Sequence, residues 1–411
     1  MVETVSIEQL RKFILEKQGL RTENPVNSTL DVIHNIHNVQ IDTISVVARS
    51  HDLILYNRVP DYKEKDIWKL LREKKVFESY SHELCLLPIQ EYPFYKWIIN
   101  YRNKNIGNRT QNWVNENKAV IDNIYNYVKK NGETCSSDFK SNTKSRWWSS
   151  DVKIESVALR YLFQRGKLLV SYRKGFQKYY DLTERVLPSN ISSEPIDQSE
   201  LTEHILNTIL SALGFAGPNE ILSYFGRSFQ RAVWGNKEKK KKVVDFLENN
   251  VKEGPLRSIN TQNSEDSYYI LDRDFNQLLN QDVEIKTDIP VKLLSPFDNI
   301  LRDRYFAKNI WNYDYKFEAY VPKAKRRYGF FCLPILDDYE LIGMVDAKVH
   351  RKEKKLELIS VYINKEIDNN FIYRFAKGVQ NFAQFHNCPE LIVGKFHPNK
   401  MKAKFIKEID H

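Results

Sequence analysis

Gln40 and Asp42 lie two residues apart in the stretch HNVQIDTI, residues 37–44. In an extended segment successive side chains alternate between faces, so these two polar side chains would share one face, opposite Val39 and Ile41. A fixed carboxylate beside an amide can orient and deprotonate a water molecule and can stabilise a developing positive charge. The same alternation fits an ordinary half-buried strand with a polar solvent face, and the spacing alone favours this second interpretation.

Other residue types that carry chemistry do not form recognisable sites in this sequence. The four cysteines include no C-x-x-C pair and have no histidine at ligand spacing, which argues against a zinc site or an iron–sulfur cluster. The sequence contains no phosphate-binding P-loop, no dinucleotide-binding glycine motif, and no zinc-protease or zinc-deaminase signature. We therefore expect an enzyme of this sequence to work with carboxylates and amides, without a metal or a cofactor.

The charge balance indicates an anionic partner. The chain has 411 residues and a net charge of +10, and aromatic residues make up 13% of it. Basic residues mixed with Tyr, Trp and Phe suit phosphates and stacked bases, which favours nucleic acid as the partner. The N-terminus lacks the apolar core of a signal peptide, and the longest apolar run is too short to span a bilayer. We expect a soluble cytoplasmic protein with no membrane contact.

The length predicts several domains, and the elements that would position the polar pair lie in the first of them, residues 1–112. Ser6 and Gln9 form a capping-box pattern at the start of an amphipathic helix. A second helix, beginning at Asn27 or Ser28, leads directly into the pair. Two short helices followed by an extended segment are typical of the start of a helix-turn-helix module.

Residues 113–192 show the clearest module. Two amphipathic helices are followed by a strand, the basic turn RKG and a returning strand, which is the order of a winged helix. Arg173 and Lys174 in the turn favour contact with DNA, although a winged helix that binds protein is the alternative. Trp147 and Trp148 could stack on a base, but core packing is the simpler interpretation.

Residues 193–285 repeat this pattern less clearly, and residues 286–411 are rich in strands, with one helix covering them. The predicted fold class is therefore α+β, with tandem winged-helix domains followed by a C-terminal β-rich domain. The turn VPKAKRR, between the first two strands of the last domain, contains four basic residues and no acidic one. Such a hairpin tip repels itself unless it meets an anion, so we expect it to contact DNA through Lys323, Lys325, Arg326 and Arg327.

Four stretches resemble, in the same order, those of the YcaQ-type (AlkX-type) bacterial DNA glycosylases, a family related to AlkZ that repairs alkylated and crosslinked DNA. They are VQIDTISVVARSHDLILYNRVPDY, SPFDNILRDR, YDYKFEAYVPKAKRRYGFFCLPIL and GMVDAKVHRKEKKLEL. The resemblance spans nearly the whole chain and is weakest at about 195–285. It implies tandem winged helices and a C-terminal β-domain, in agreement with the elements above.

The family's catalytic signature, Q-x-[QD], falls on Gln40-Ile41-Asp42. Asp at its second position resembles the branch that unhooks interstrand crosslinks and excises N7-alkylguanines, whereas the AlkZ-type branch has Gln there. The resemblance implies a monofunctional glycosylase that hydrolyses the N-glycosidic bond of such lesions in double-stranded DNA, with Gln40 and Asp42 as catalytic residues and no cofactor. We expect a bacterial, cytoplasmic monomer that is associated with the nucleoid when bound to DNA.

His51 and Arg58 lie in the first matching stretch and are further candidates for DNA contacts beside the site. Their alternative role is to pair with Asp52 or Asp61, and the sequence does not distinguish the two. The alternative function is a non-catalytic winged-helix DNA-binding protein or transcription regulator, which would bind undamaged duplex and release no base. A nuclease would need a metal-binding acidic cluster, which the sequence does not reveal.

Overall fold

Helices and strands alternate in blocks along the chain, which confirms the predicted α+β class. Trp147 and Trp148 lie outside the part of the chain that the structure describes, so their predicted stacking or packing stays a prediction. The structure is a computed structural model, and it describes residues 3–21, 28–140, 143–145, 152–261, 266–281 and 289–409.

The chain starts with strand β1 (Glu3–Val5) and helix α1 (Ile7–Lys17). The predicted capping box is present, because the Ser6 hydroxyl accepts a hydrogen bond from the Gln9 amide at 3.1 Å and Gln9 Oε1 accepts one from the Ser6 amide at 3.0 Å. However, β1 pairs in parallel with a strand at 256–261, and α1 packs in the same apolar core as that strand. This N-terminal segment therefore belongs with the third predicted unit and is not part of the module that carries Gln40.

Residues 28–116 form the unit that carries the polar pair. Ser28 caps the second helix, as predicted, by accepting a hydrogen bond from the Asp31 amide. A three-stranded sheet has its last strand in chain order at its centre, antiparallel to both neighbours. The elements are α2 (Thr29–Ile36), β2 (Val39–Gln40), α3 (Ser50–Tyr56), α4 (Glu64–Arg72), β3 (Val76–Tyr80), β4 (Leu84–Pro88), α5 (Tyr92–Lys104) and α6 (Asn108–Glu116).

The next unit has the predicted order of helix, helix and antiparallel hairpin, which is compatible with a winged helix. Gly175 at the hairpin tip has φ +60°, a conformation that glycine adopts without strain. The predicted boundary at residue 112 falls inside α6, whose Trp113 contacts the second unit by donating from Nε1 to Ser145 Oγ at 3.2 Å, and the boundary stays a prediction. The elements are α7 (Lys118–Asn131), β5 (Lys144–Ser145), β6 (Val152–Lys153), α8 (Ile154–Gln164), β7 (Leu168–Lys174), β8 (Gln177–Leu182) and α9 (Thr183–Val186).

The third unit closes on the N-terminal strand in a sheet with the order β1-β10-β11-β9. Its predicted boundary at residue 285 lies outside the described residues, and the division of the chain into four domains stays a prediction. The elements are α10 (Gln198–Leu213), β9 (Phe215–Ala216), α11 (Pro218–Ser223), α12 (Arg227–Trp234), α13 (Lys239–Glu253), β10 (Leu256–Thr261), β11 (Tyr268–Leu271) and α14 (Asp272–Leu279).

The C-terminal unit is a five-stranded sheet in chain order, antiparallel except for its last pair. Two helices cover it, because Phe405 of the last helix packs against Phe375 with ring centroids 5.1 Å apart, whereas the sequence predicted one. The elements are β12 (Lys292–Leu293), α15 (Asn299–Arg302), α16 (Arg304–Trp311), β13 (Cys332–Asp337), β14 (Glu340–His350), β15 (Lys355–Ile363), α17 (Phe371–Phe385), β16 (Glu390–His397) and α18 (Lys400–Ile409).

The predicted strand FEAYV, and with it the basic hairpin, is wrong. Residues 312–331 form an ordered loop with a short 3-10 helix at Lys323–Lys325, and the strand that follows begins only at Cys332. The reason is Glu318, whose carboxylate accepts hydrogen bonds from the amides of three consecutive residues, 327–329, at 2.8–3.2 Å. These bonds fold the segment back on itself and take amides that a strand would offer to a neighbour.

Candidate active site

Gln40 ends a short, buried strand at the edge of its three-stranded sheet. It lies opposite Cys85 of β4, and the Ile41 amide extends the pairing by donating to the Leu84 carbonyl at 2.8 Å. Val39 and Ile41 are buried, as the alternation predicts. Gln40 is also only 7% exposed, so the face that would meet solvent in an ordinary edge strand is covered by protein.

A histidine in the turn between β3 and β4 holds the Gln40 side chain. His82 Nε2 lies 3.1 Å from Gln40 Oε1. On the other side of the ring, His82 Nδ1 lies 3.0 Å from Arg302 Nη1 and 3.9 Å from the sulfur of Cys85. Burial, and then the positive charge of Arg302, lower the pKa of His82 well below its ordinary value, so the imidazole is neutral.

Arg302 comes from the C-terminal unit and brings three units together at this point. Its Nη1 lies 3.4 Å from Asn38 Oδ1, and its guanidinium carbon lies 4.3 Å from the centre of the Tyr224 ring. Asn38 in turn donates to the Tyr224 hydroxyl at 3.2 Å. Asn299, one turn before Arg302, donates to the Ile36 carbonyl at 3.0 Å. The residues beside Gln40 are therefore fixed by groups from distant parts of the chain.

Asp42 is held by its own backbone turn. Its Oδ1 accepts a hydrogen bond from the Ile44 amide at 2.7 Å, and the side chain is half-buried. Within the described part of the chain, Oδ2 has no hydrogen-bond donor. Burial, and then the negative charge of Asp42, raise the pKa of Glu83, which places the two carboxylates near each other. Because His82 and Glu83 are consecutive, Gln40 and Asp42 lie against the same turn.

The residues after Asp42 pack on the C-terminal sheet. Ile44 and Val46 join an apolar cluster that includes Phe317 and Phe330, at the two ends of the basic loop. The Val46 carbonyl accepts a hydrogen bond from the Val349 amide at 3.3 Å. The segment that follows Asp42 and the basic loop therefore pack against one shared cluster, whereas Val39 and Ile41 belong to another.

The basic loop, residues 318–330, presents three of its four predicted cations to solvent. Burial alone would raise the pKa of Glu318, but its hydrogen bonds from the loop amides lower it, so this clamp is charged. Arg326 is half-buried, because its Nε donates to the Val321 carbonyl at 2.8 Å and its guanidinium lies 4.8 Å from the Phe330 ring. Tyr320 is 83% exposed, although no sequence pattern had drawn attention to it. The exposed cations are Lys323, Lys325 and Arg327.

Comparison with known proteins decides the family. A family model described as "DNA glycosylase AlkZ-like" matches residues 34–369, which is most of the chain and includes the polar pair and the basic loop. The chain belongs to the AlkZ-like DNA glycosylase family. The structure is similar to that of the DNA glycosylase AlkZ of Streptomyces sahachiroi, with a TM-score of 0.63 and 14% identity over 96% of this chain and 100% of that one. At this identity the likeness shows the fold.

Family membership makes this chain a DNA glycosylase and confirms the predicted resemblance at the level of the AlkZ-like family. The narrower YcaQ-type assignment depends on Asp42 and stays a prediction. No group of three or more His, Cys, Asp or Glu that could hold a metal occurs among the described residues. Nor does any helix in the described ranges have the length and apolarity needed to cross a membrane.

Arg173 of the AlkZ-like chain is buried instead of facing DNA. Its guanidinium pairs with both carboxylate oxygens of Glu78, at 2.5 and 2.8 Å, and lies 4.5 Å from the Phe176 ring. Lys178 adds a second cation to the same carboxylate at 3.1 Å. The arginine thus joins the hairpin to the unit that carries Gln40, and we remove it from the expected DNA contacts. Lys174, the next residue, is exposed.

His51 and Arg58 are also buried and do not flank the polar pair. His51 lies between aromatic rings, 5.1 Å from Trp68, and its Nε2 is 3.5 Å from Asp52 Oδ2. Burial, and then the charge of Arg173, lower the pKa of His51 to about 3, so this pair is not ionic at neutral pH. Arg58 forms two hydrogen bonds, at 2.7 and 2.8 Å, with Asp298 and not with Asp61. Both residues therefore have structural roles.

The sequence missed His82, Glu83 and Arg302. The stretch SHELC at 81–85 lacks a turn signal such as Asn-Gly, and nothing local links it to Gln40. Gln40 pairs with Cys85, and this register of β2 against β4 places the turn beside Ile41. A sequence prediction that included this register would have found the turn. Arg302 had no such signal, because its contact with His82 depends on the packing of two separate units.

Proposed function

We propose that this AlkZ-like glycosylase hydrolyses the N-glycosidic bond of N7-alkylguanines in double-stranded DNA, including guanines joined in interstrand crosslinks. The observation that carries the proposal is the arrangement of Asp42. One carboxylate oxygen is fixed by the Ile44 amide at 2.7 Å, and the other has no donor in the described ranges. A carboxylate with one fixed and one available oxygen, beside a held amide, suits the activation of a single water molecule.

The proposed reaction needs no strong acid. An N7-alkylguanine is positively charged, and as its C1′–N9 bond breaks the electron pair moves to N9 and neutralises the ring. Positive charge then develops on the sugar, where Asp42 stabilises it electrostatically. A water molecule oriented by Gln40 forms the new bond to C1′ and gives its proton to Asp42. The products are the free base and an abasic site.

We propose a monofunctional enzyme, because the groups around the pair in the described structure are an imidazole, a guanidinium and a carboxylate. None of them forms a Schiff base with the opened sugar, as a lysine amine would. Borohydride added during the reaction should therefore trap no covalent protein–DNA adduct. Asp42 is half-buried in the turn after β2, and the partial exposure of its carboxylate suits a base that a crosslink prevents from leaving the helix fully.

The proposed DNA surface combines the exposed cations of the basic loop with Lys174 on the hairpin. Lys323, Lys325 and Arg327 can neutralise phosphates, and the exposed Tyr320 beside them can stack on a base. Phe317 and Phe330, at the two ends of the loop, pack against the same apolar cluster as Ile44 and Val46, which follow Asp42 in the chain, and this supports the proposal. Arg326 stabilises the loop by donating from Nε to the Val321 carbonyl.

The Asp42→Asn variant tests this function. We expect single-turnover release of N7-methylguanine from a duplex to slow by about 10²–10³-fold, because the charge and the proton acceptor are lost. Alkaline cleavage at abasic sites measures the rate, and the duplex affinity should change by less than about threefold. A nitrogen-mustard-crosslinked duplex should show the same loss of unhooking.

Asp245→Asn is the matched control, since Asp245 is an exposed carboxylate on α13, and it should keep the parental rate. Release of N7-methylguanine by Asp42→Asn at the parental rate would overturn the assigned mechanism. Activity on the methylated duplex without unhooking of the crosslinked one would restrict the substrate to single lesions. No contact among the described residues favours the alternative of a non-catalytic regulator, and the family match argues against it.

A further inference from the structure

Arg302, His82 and Gln40 form a chain of polar contacts. These contacts determine which ring nitrogen of His82 carries the proton. Arg302 Nη1 lies 3.0 Å from His82 Nδ1, and His82 Nε2 lies 3.1 Å from Gln40 Oε1. A guanidinium can only donate hydrogen bonds, so Nδ1 has to accept. A neutral imidazole carries one N–H, and it is therefore at Nε2, where it donates to the Gln40 oxygen.

This donor also fixes the Gln40 carboxamide. Its oxygen is engaged by His82, and its NH₂ group has no acceptor among the residues that the structure describes. We propose that His82 is a positioning residue, which Arg302 holds in the Nε2–H form and which turns the NH₂ of Gln40 towards the attacking water. This inference rests on the proposed function. It adds to that function the tautomer of His82 and the orientation of the Gln40 amide.

The surroundings of His82 support this assignment. The Cys85 sulfur, 3.9 Å from Nδ1, is a second donor there, because burial raises the pKa of the thiol to about 12 and keeps it protonated. Arg302 is itself held by Tyr224, because its guanidinium carbon lies 4.3 Å from the centre of the Tyr224 ring. Gly226 approaches from the third unit so closely that a Cβ there would lie 2.9 Å from the His82 Cα. The third unit thus packs closely against the backbone of His82.

The orientation matters because the two ends of a carboxamide have opposite hydrogen-bonding character. An NH₂ group can donate to the water oxygen and leave a lone pair for attack on C1′. If the amide rotated by half a turn, its carbonyl oxygen would face the water and would repel the Asp42 carboxylate. Without a donor at His82, the protein has no means among the described contacts to prefer the first orientation.

Two substitutions of His82 separate this role from simple packing. His82→Leu keeps the volume but removes the donor, and we expect about a 10- to 50-fold lower single-turnover rate on an N7-methylguanine duplex. His82→Gln places an amide nitrogen near the original Nε2 and should recover most of the loss. Thermal unfolding of both variants checks that they fold. Equal losses in the two variants would overturn the proposal, because a packing role makes no use of the donor.

A double-mutant cycle tests whether His82 acts through Gln40. Adding His82→Leu to Gln40→Ala should lower the rate by less than about threefold further, since the group that His82 orients is already absent. Independent, multiplying losses would overturn the inference. If Gln40→Ala alone kept the parental rate, the proposed role of Gln40 would fail, whereas a slow Gln40→Ala with a normal His82→Leu would refute only the positioning role.

The tautomer itself can be observed without any catalysis. Nitrogen-15 NMR of histidine-labelled protein should show a neutral ring with its proton on Nε2, assigned by the signal that His82→Gln removes. In Arg302→Met the donor to Nδ1 is lost, and a second population with the proton on Nδ1 should appear. A proton on Nδ1 in the parent protein would overturn the inference, whatever the activity of the variants.

Discussion

Gln40 and Asp42 are held by different means, although they are only two residues apart. The Asp42 carboxylate is fixed by the amide of Ile44, inside its own turn. The Gln40 amide is fixed by His82, whose ring is set by Arg302 of another unit. A change within the turn after β2 should therefore displace the Asp42 carboxylate first. A change that loosens the packing between units should displace the Gln40 amide.

Asp52 predicts a dependence of stability on pH. Burial, and then the charge of Glu64, raise the pKa of Asp52 from 3.8 to about 7, although a hydrogen bond from Tyr62 opposes this shift. The folded protein thus binds the Asp52 proton more tightly than the unfolded chain does. Binding of this proton contributes fully to the free energy of unfolding below about pH 4, and the contribution is lost as the pH rises towards 7.

Asp52→Asn removes the cost of a buried negative charge at this position while keeping an acceptor for the Tyr62 hydroxyl. Three pKa units correspond to at most about 4 kcal/mol, and we expect about 1–2 kcal/mol of added stability at pH 8 and almost none at pH 4. Urea unfolding at the two pH values measures the difference. The exposed Asp245→Asn should show no such trend, and a gain of equal size at both pH values would contradict the assignment.

At the scale of elements, the entry to α12 supports the turn that carries His82. Gly226 has φ +79°, and a Cβ there would lie 2.9 Å from the His82 Cα. Gly132 has the same φ of +79° but has no atom within 4 Å of the position of a Cβ. The two glycines share a positive φ and differ in their surroundings.

Gly226→Ala should therefore both destabilise the protein and slow base release, whereas Gly132→Ala should only destabilise it. Backbone strain costs about 1–3 kcal/mol in each variant. The further contact in Gly226→Ala has to displace the turn, and a displaced His82 no longer holds Gln40. Single-turnover rates below the unfolding temperature of both variants measure the effect, and equal rates would separate Gly226 from the site.

The sequence predicted those elements whose signals are local. The capping box of α1 and the two helices and hairpin after residue 117 depend on near neighbours. The failures occurred where distant groups decide. Glu318 turns a strand-like segment into a loop by binding backbone amides, and Glu78 draws Arg173 into the interior. Neither pairing has a signature in the sequence around it.

At the scale of the whole molecule, the net charge of +10 predicts salt-dependent binding to DNA. Lys325→Gln with Arg327→Gln should raise the duplex dissociation constant and reduce the slope of log K against log salt by about 2, since each phosphate contact contributes about 0.9. The same pair of changes at Lys240 and Lys241, on the exposed start of α13, should leave the slope nearly unchanged. Equal slopes in the two double variants would show that the basic loop does not contact DNA.

The meeting of three units around Gln40 also bears on how the enzyme is made. More than half of the chain separates Gln40 from Arg302, and strand β1 finds its partner only at 256–261. At about 5–20 residues per second, the ribosome needs roughly 10–50 s to cover that interval. On the proposed mechanism, a chain without Arg302 does not hold His82 in a single tautomer, and the Gln40 amide is then not fixed. We therefore expect full base-release activity only after residue 302 has been synthesised.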